Sequence, residues 1–308
     1  MTPKLVTRKG TKAVFAFAGV SGGGKTYTAL QFGFGLANNR ADKVGLLDTE
    51  NGRGKLYEDD MPDGKPFYYL PLDPPFEPER YIEGIAALEK IGCEVIIIDS
   101  MSHEYAGEGG ILEMADTASR YNPYTKKEEP IQGMEKWLKP KMRHKKFINA
   151  LLQSKAHIIC CLRALPKTQY EDVWNEKKGK MERTVVTTEQ PIPICEKNFM
   201  YEMTHSLILE DEGKIQITTK AHKDFLPFLG RGKGYITSTD GLACRDWLDG
   251  MSPKEDVIKF RCADCNNYIM PTDKFTTQQI ADGTMIKYGR YLCADCGAKE
   301  KGKGANNG

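Results

Sequence analysis

The sequence predicts an α/β protein with a mainly parallel sheet flanked by helices, followed by a small C-terminal module built around a metal ion. The glycine-rich run GVSGGGKT at residues 19–26, and the apolar strand-like runs that end in acidic residues, predict the α/β part. Two C-x-x-C pairs beyond residue 260 predict the module. The expected organisation is a lead-in at residues 1–11, a large domain at 12–250, a linker at 251–257, the module at 258–298 and a disordered Gly- and Lys-rich tail at 299–308.

The composition is that of an ordinary globular protein. The chain has 308 residues, of which 40% are hydrophobic and 28% charged, so one large domain plus a small one, or two domains, is expected. The formal net charge is only +2, so any surface that binds nucleic acid must be local. The early basic residues are followed by an apolar run that leads straight into the glycine-rich run, which argues against a signal peptide. No segment approaches the ~18 apolar residues that a membrane span needs.

The cysteines indicate a reducing environment. There are nine, an odd number, and Cys160 and Cys161 are adjacent in a predicted buried strand. This pattern does not indicate a disulfide framework. We therefore expect a cytoplasmic protein.

Residues 19–26 fit the phosphate-loop pattern G-x-x-x-x-G-K-[ST]. Residues 13–18 before them resemble a buried strand, and residues 27–38 after them are long enough for a helix. Such a turn aims backbone N–H groups at an anion, although a glycine-rich turn that matches by chance is the alternative. We expect Lys25 to contact the β- and γ-phosphates and Thr26 to bind Mg²⁺. The predicted phosphate-binding residues are Gly19, Val20, Ser21, Gly22, Gly23, Gly24, Lys25 and Thr26.

Two further predicted strands end in acids. Residues 43–48 lead into Asp48-Thr49-Glu50, and residues 93–100 (CEVIIIDS) contain four consecutive β-branched residues closed by Asp99. Because the carboxyl ends of parallel strands meet at one edge of a sheet, Asp99 is expected to bind Mg²⁺ with the phosphate loop. The residue after Asp99 is serine, not glutamate, so the role of catalytic base falls to Glu50. The alternative for both acids is that they only end strands.

Other candidates lie at the same predicted sheet edge. Glu104 competes with Glu50 for the role of base, although an exposed acidic loop residue explains it equally well, and His103 is interpreted as a turn residue. Arg163 follows the apolar strand at residues 156–162 and is expected to reach the γ-phosphate. A surface arginine is the alternative.

Two segments combine cations with aromatic residues. Residues 134–147 contain six basic residues and one acid, with a helical pattern from Pro140 onward, and residues 166–184 interleave two aromatic residues with basic ones alongside four acids. This combination is typical of surfaces that bind single-stranded nucleic acid, but a solvated helix face and an ordinary surface hairpin explain the two segments as well. The DNA-binding candidates are Lys136, Trp137, Lys141, Arg143, Lys145, Lys167, Tyr170, Trp174, Lys177 and Lys178.

The rest of the large domain gives weaker signals. We expect a loop-rich segment at residues 107–130, antiparallel strands at residues 185–188, 199–209 and 214–219, and a short helix at residues 240–248.

The C-terminal cysteine pairs predict a zinc site. The two knuckles, RCADCN and LCADCG, repeat a pair of thiols three residues apart, and each is followed by a residue that tolerates positive φ. Two such knuckles form a tetrahedral Cys₄ zinc site, as in a zinc ribbon, and metal binding would support the folding of so small a segment. A redox dithiol is disfavoured by the second pair. A short helix is expected near residues 276–280. The predicted ligands are Cys262, Cys265, Cys293 and Cys296.

With these motifs in place, the chain resembles the RecA-like P-loop ATPases, and most closely their short phage branch, the single-strand-annealing recombination ATPases. GVSGGGKT, the DTE after the second strand, IIIDS followed by MSHE, and LRA after the later strand carry this resemblance, over about residues 11–230. It implies a RecA-like core, Mg²⁺-dependent ATP hydrolysis coupled to single-stranded DNA, Glu50 as catalytic glutamate and Arg163 as a sensor.

Other features qualify the resemblance. The zinc module lies outside it, and the sequence shows no obvious N-terminal polymerisation domain, so stable filaments are not expected. RecA-like subunits often place a basic residue at a neighbour's nucleotide, and Lys197 and Lys220 are the candidates. The expected partners are single-stranded DNA, a phage single-strand-binding protein or recombinase, and further copies of the chain, with no membrane.

Three functions compete. The first is a DNA-stimulated ATPase of phage recombination, annealing or replication that uses ATP, Mg²⁺ and a structural Zn²⁺. The second is a nucleotide-gated DNA-binding or annealing protein with little hydrolysis. The third and weakest is a small-molecule or nucleotide kinase, which needs several arginines over the phosphates, whereas the segment after Arg163 contains mostly lysines.

Overall fold

A computed structural model describes residues 3, 5–166, 168–176, 178–187, 190–251, 260–270, 272, 275 and 277–305. The strands in this part of the chain are β1 (Val14–Gly19), β2 (Val44–Asp48), β3 (Tyr68–Pro71), β4 (Val95–Asp99), β5 (Ser119–Asn122), β6 (Lys127–Pro130), β7 (His157–Leu165), β8 (Thr168–Asn175), β9 (Lys180–Thr187), β10 (Ile192–Pro193), β11 (His205–Glu210) and β12 (Ile215–Lys220).

The helices of the large domain are α1 (Lys25–Leu36), α2 (Pro78–Lys90), α3 (Ser102–Ala106), α4 (Ile111–Asp116), α5 (Leu138–Leu152), α6 (Phe199–Glu202) and α7 (Ser238–Leu248). Two more helices, Thr277–Tyr288 and Ala294–Ala305, belong to the C-terminal module.

Within the described residues, eight strands form the central sheet. Its order is β12-β11-β1-β7-β4-β2-β3, with β10 paired to β7. Only β12 and β10 run antiparallel to their neighbours. The strand β1 is buried on both faces, and its side chains alternate: Phe15 and Phe17 pack in the cluster formed with α1 and α7, while Val14, Ala16 and Ala18 pack in the cluster formed with α2 and α5. This two-sided burial explains the continuous apolar run in the sequence.

The predicted fold class is therefore confirmed. A mainly parallel sheet lies between two helical layers, and the strand that carries the phosphate loop is separated by β7 from the strand that ends in Asp99. The four cysteines of the C-terminal module cluster in space.

Two segments of the large domain differ from prediction. Residues 107–130, expected to be loop-rich, contain α4 and the β5–β6 hairpin. Residues 199–209, expected to be one strand, begin with α6 and then form β11, which pairs parallel with β1. Phe199, the first residue of the helix, and Met203, just past its end, are both buried. Apolar composition suggested a strand, but the burial pattern has helical spacing.

The C-terminal end also differs from prediction. The helix expected near residues 276–280 extends over Thr277–Tyr288, and the segment expected to be a disordered tail continues as a helix to Ala305. Alanine, lysine and glutamate after the last cysteine pair favour helix, which outweighs the glycines there. The predicted linker falls almost wholly outside the described residues.

No helix in the described part of the chain combines the length and apolar character needed to cross a membrane.

Candidate functional site

The carboxyl edge of the parallel strands brings the predicted site residues together. In the β1–β7 pair Gly19 lies opposite Arg163, and in the β2–β4 pair Asp48 lies opposite Asp99. Strand register thus places the start of the phosphate loop, the arginine and both aspartates at one edge.

The phosphate loop follows β1 and leads into α1. Gly22 and Gly24 have φ of 78° and 79°, values that favour glycine. A Cβ on Gly24 would lie 2.4 Å from the carbonyl oxygen of Glu212, so the loop after β11 packs directly against the backbone here. The Lys25 ammonium donates a hydrogen bond to the Val20 carbonyl at 2.8 Å, across the loop. Lys25 therefore lies over the turn whose N–H groups would face an anion.

Thr26 and Asp99 form the expected oxygen pair. The Thr26 hydroxyl donates to Asp99 Oδ2 at 2.5 Å, and Asp99 is only 6% exposed. Burial raises the pKa of Asp99 to about 6, although the Thr26 hydrogen bond opposes the shift. A hydroxyl and a carboxylate are hard oxygen donors of the kind Mg²⁺ uses alongside phosphate, so these residues fit the implied ion.

The structure gives Asp48 a role that sequence reasoning did not assign. Its Oδ1 accepts the N–H of Glu50 at 2.6 Å, and its Oδ2 accepts the N–H of Gly54 and the hydroxyl of Tyr69, both at 3.0 Å. Two of these three hydrogen bonds hold the loop that follows β2, and the third ties Asp48 to Tyr69 of β3. Asp48 is a positioning residue that fixes the backbone from which Glu50 projects.

Glu50 is paired with Arg163. The guanidinium donates from Nε to Oε1 at 2.9 Å and from Nη2 to Oε2 at 2.6 Å, while Arg53 lies 4.0 Å away. Burial alone would raise the pKa of Glu50, but the Arg163 hydrogen bonds and the positive charges of Arg163 and Arg53 outweigh it and lower the pKa. Glu50 is thus held as a carboxylate.

A cavity of about 440 Å³ unites these side chains. The predicted residues that line it are Ser21, Gly22, Lys25, Thr26, Glu50, Asp99 and Arg163. Sequence reasoning missed Arg53, Tyr57 and Ile194, which also line it. Arg53 and Tyr57 follow the DTE motif in a loop that shows no periodicity, and Ile194 reaches the site only through the pairing of β10 with β7.

Two candidates near α3 do not line this cavity. His103 bonds the Thr49 hydroxyl through Nδ1 at 2.7 Å and stacks on Phe76. Glu104 is not the exposed loop residue considered from the sequence: it is fully buried and bonds Nδ1 of His144 at 2.9 Å. Glu104 does not compete with Glu50 from this position.

The basic segment at α5 divides into paired and unpaired cations. Arg143 donates to both carboxylate oxygens of Glu79 at 2.6–3.0 Å, so it ties α5 to α2. Lys136 pairs with Asp116 at 2.7 Å. The other candidates of this segment, all at least partly exposed, are Trp137, Lys141 and Lys145.

The second basic segment forms the β8–β9 hairpin, with eight paired positions from Thr168 opposite Thr187 to Asn175 opposite Lys180. Trp174 is 57% exposed, and Lys178 bonds Glu182 at 2.9 Å. Lys167, Lys177 and the side chain of Tyr170 lie outside the described residues.

The lysines expected to act on a neighbouring subunit have different surroundings. Lys197 is exposed just before α6. Lys220, at the end of β12, donates to the Tyr201 carbonyl. Lys220 is therefore engaged within its own chain.

The four C-terminal thiols meet in one cluster. The sulfur atoms of Cys262, Cys265, Cys293 and Cys296 lie within 4.8 Å of one another, and those of Cys265 and Cys293 are 3.8 Å apart. With Zn–S bonds of about 2.3 Å, tetrahedral geometry requires sulfur separations of about 3.8 Å. A hydrogen bond from Cys265 lowers the pKa of Cys293 to about 5, which favours the thiolate that binds metal. The donor set fits Zn²⁺.

The module packs on the large domain through a few polar contacts. The Tyr268 hydroxyl and the Arg261 guanidinium both donate to the Pro227 carbonyl, the former at 2.8 Å. The Asn267 side-chain oxygen accepts the N–H of Tyr235 at 2.7 Å. None of the residues in these contacts lines the cavity around the phosphate loop.

The fold and the cavity together define a P-loop nucleotide-binding protein. Residues 11–189, more than half of the chain, match the model of a protein family described as "AAA domain", and the chain belongs to this family. No curated protein matches the sequence.

Among solved structures, a KaiC-like protein, PH0186, from the archaeon Pyrococcus horikoshii OT3 is 15% identical, with 60% of this chain and 85% of that chain covered and a TM-score of 0.30.

Proposed function

We propose that this protein is a Mg²⁺-dependent ATPase whose turnover is coupled to binding of single-stranded DNA. The observation that carries the proposal is a single cavity onto which five polar side chains converge: Lys25, Thr26, Glu50, Asp99 and Arg163. They come from four separate stretches of chain. A lysine, two oxygen ligands, a carboxylate and an arginine are the groups that transfer of a phosphoryl group to water requires.

Each residue has a distinct task. Lys25 and the loop N–H groups hold the phosphates, and Thr26 and Asp99 would hold Mg²⁺, which would neutralise phosphate charge. Glu50 orients a water molecule and accepts its proton as the water oxygen bonds to the γ-phosphorus and the bond to the β–γ bridging oxygen breaks. Arg163 lies within the same cavity, and its guanidinium can release the Glu50 carboxylate and donate hydrogen bonds to a phosphate oxygen instead.

The DNA part of the proposal is supported by exposed cations and aromatic residues. Lys141 and Lys145 on α5 and Trp174 on the hairpin are exposed. The resemblance to annealing ATPases favours phage recombination, annealing or replication as the process. The proposal also includes a phage single-strand-binding protein or recombinase as a partner, and assembly of several copies of this chain into an oligomer.

The Glu50–Arg163 pair favours a second candidate, a nucleotide-gated DNA-binding or annealing protein with little hydrolysis. A carboxylate that accepts two hydrogen bonds from one guanidinium is a weaker base toward water. If this pair persists with nucleotide bound, ATP would control DNA affinity without turnover.

Phosphate release separates the candidates. The wild type is assayed with ATP and Mg²⁺, with and without single-stranded DNA, beside Glu50→Gln and the control Lys90→Gln, an exposed lysine at the far end of α2. We expect DNA-stimulated release that falls about 10²- to 10⁴-fold in Glu50→Gln and is unchanged in the control.

The other outcomes are equally informative. ATP binding without phosphate release in any condition contradicts hydrolysis and leaves the gated binding protein. A phosphorylated small-molecule product would identify a kinase, and a chain that binds no nucleotide contradicts all three functions.

A further inference from the structure

A second cavity, of about 310 Å³, opens between α3, the start of α5 and the segment just before α6. Tyr105 and Trp137 contribute aromatic rings to its lining, and Lys141 and Lys197 contribute two positive charges against the one carboxylate of Glu196. We call it the Trp137 groove. Among the described residues, none lines both this groove and the nucleotide cavity, so it is a separate site.

The groove is built over a buried polar pair. His144, which lines it, is 7% exposed, and Glu104 behind it is fully buried. Nδ1 of His144 lies 2.9 Å from Oε1 and 3.2 Å from Oε2 of Glu104. Because the carboxylate occupies Nδ1, Nε2 is the ring nitrogen left for a ligand. Burying a carboxylate and an imidazole is costly, so their place beneath an open groove favours a functional role.

One face of α5 continues from the groove as a positive surface. Trp137, Lys141 and Lys145 are spaced four residues apart and therefore share one side of the helix. Both lysines are exposed, and in the described part of the chain neither forms an ion pair, whereas Arg143 is neutralised by Glu79. Segment 134–147 has six basic residues against one acid. The surface next to the aromatic rings is complementary to a polyanion.

We propose that the Trp137 groove binds a nucleobase of single-stranded DNA. Trp137 and Tyr105 provide stacking surfaces, Nε2 of His144 bonds to the edge of the base, and Lys141 and Lys197 contact the flanking phosphates. Aromatic stacking tolerates any base, since each base has a π-face, and cations beside it follow the backbone. This inference rests on the proposed function, because it supplies the DNA contact to which the ATPase responds.

Both walls of the groove connect to Arg163. Tyr105 belongs to α3, whose first residue Ser102 accepts the backbone N–H of Arg163 at 2.9 Å. On the other wall, the N–H of Ile194 donates to the Arg163 carbonyl at 2.8 Å, two residues before the groove begins. A base that displaces either wall would therefore act on the backbone of the residue that holds Glu50. This is the route by which we expect an occupied groove to stimulate hydrolysis.

The test measures binding of a fluorescein-labelled oligo(dT) strand by anisotropy across a range of salt concentrations, using the full chain. Trp137→Ala is expected to weaken binding about 5- to 150-fold, the effect of losing one stacked base. Lys141→Gln changes an exposed side chain and leaves the fold intact. It is expected to reduce the slope of log binding constant against log salt concentration by about 0.7. Lys155→Gln is the matched control, because Lys155 is exposed just past the opposite end of α5. Phosphate release without DNA is expected to stay at the wild-type rate in the Lys155→Gln control.

Different failures identify different errors. If the wild type binds the strand and both groove variants bind it equally well, the groove assignment is wrong and the proposed function stands. If the wild type neither binds DNA nor responds to it, the DNA part of the proposed function fails and this inference fails with it. If the groove variants change only the mass of the assembly, the groove is a subunit contact and the inference is overturned.

Discussion

The guanidinium of Arg163 and the carboxylate of Glu50 form a two-bond ion pair at 2.9 and 2.6 Å across the nucleotide cavity. Arg163 lies near the end of β7 and Glu50 follows β2, two strands that are not neighbours in the sheet. The pair therefore joins the proposed base to the strand that leads into the β8–β9 hairpin. It keeps the pKa of Glu50 below its usual range.

Replacing Arg163 by glutamine is expected to raise the pKa of Glu50, because the hydrogen bonds and charge that lower it are lost while burial remains. Hydrolysis needs ionised Glu50, so the acid limb of the pH–rate profile should move to higher pH. Arg53→Gln is the control: at 4.0 Å its effect on Glu50 is weaker, and its shift should be smaller. Equal profiles in wild type and Arg163→Gln would contradict Glu50 as the base.

Two glycines of the phosphate loop should tolerate alanine differently. At Gly24 a Cβ would come within 2.4 Å of the Glu212 carbonyl oxygen, whereas at Gly22 it would meet nothing within 4 Å, although both have φ near 80°. We expect Gly24→Ala to abolish nucleotide binding and Gly22→Ala to cost about 1 kcal/mol of backbone strain only. Fluorescent ATP-analogue titrations and thermal melts measure both. Similar affinities in the two variants would show that the loop after β11 does not restrain the phosphate loop.

The cysteine cluster should hold one zinc ion per chain. Cys293→Ser is expected to lose the metal and to expose the module to proteolysis, because metal binding supports its small core. Cys195→Ser, a half-buried thiol outside the cluster, is the control. Metal release is measured with a chelating dye, and nucleotide binding is measured alongside. ATP affinity should be unchanged, since the cluster shares no residue with the cavity. Full proteolytic resistance of a metal-free Cys293→Ser protein would contradict the zinc-dependent fold.

His157 should make folding stability depend on pH. It is 1% exposed, its Nδ1 accepts the N–H of Ala13 at 3.2 Å, and burial followed by the charge of Lys12 lowers its pKa to about 3. Between the ordinary value of 6.5 and 3 the unfolded chain binds more protons than the folded one. The free energy of unfolding contributed by this group therefore falls as pH decreases, by up to about 1.4 kcal/mol per unit.

His157→Asn keeps a hydrogen-bond acceptor and removes the titrating group. Urea denaturation of wild type and variant between pH 7 and pH 4.5 measures the difference. The wild type should lose stability more steeply than the variant as pH falls. Parallel curves would show that His157 does not remain neutral in the folded protein.

Local patterns predicted much of this site. The phosphate loop, the acids at or just after the ends of β2 and β4, and the arginine near the end of β7 could be found because each directly ends or follows an apolar run, and parallel strands bring such ends to one edge. The helix α6 was missed because its apolar residues gave no clear period before their burial was known. The short 3₁₀ helix Arg53–Tyr57 was missed because its place over the cavity depends on the hydrogen bonds that Asp48 accepts from the backbone of Glu50 and Gly54.

The sequence alone determined which groups are present: a phosphate loop, metal-binding oxygens, a candidate base and four zinc-type thiols. These depend on residue type and spacing along the chain. The tertiary structure decided which of them meet. It paired Glu50 with Arg163, neutralised Arg143 with Glu79, buried Glu104 against His144 and opened the Trp137 groove above that pair. Such pairings join residues dozens to more than a hundred positions apart, and only the packed sheet and helices bring them within hydrogen-bonding distance.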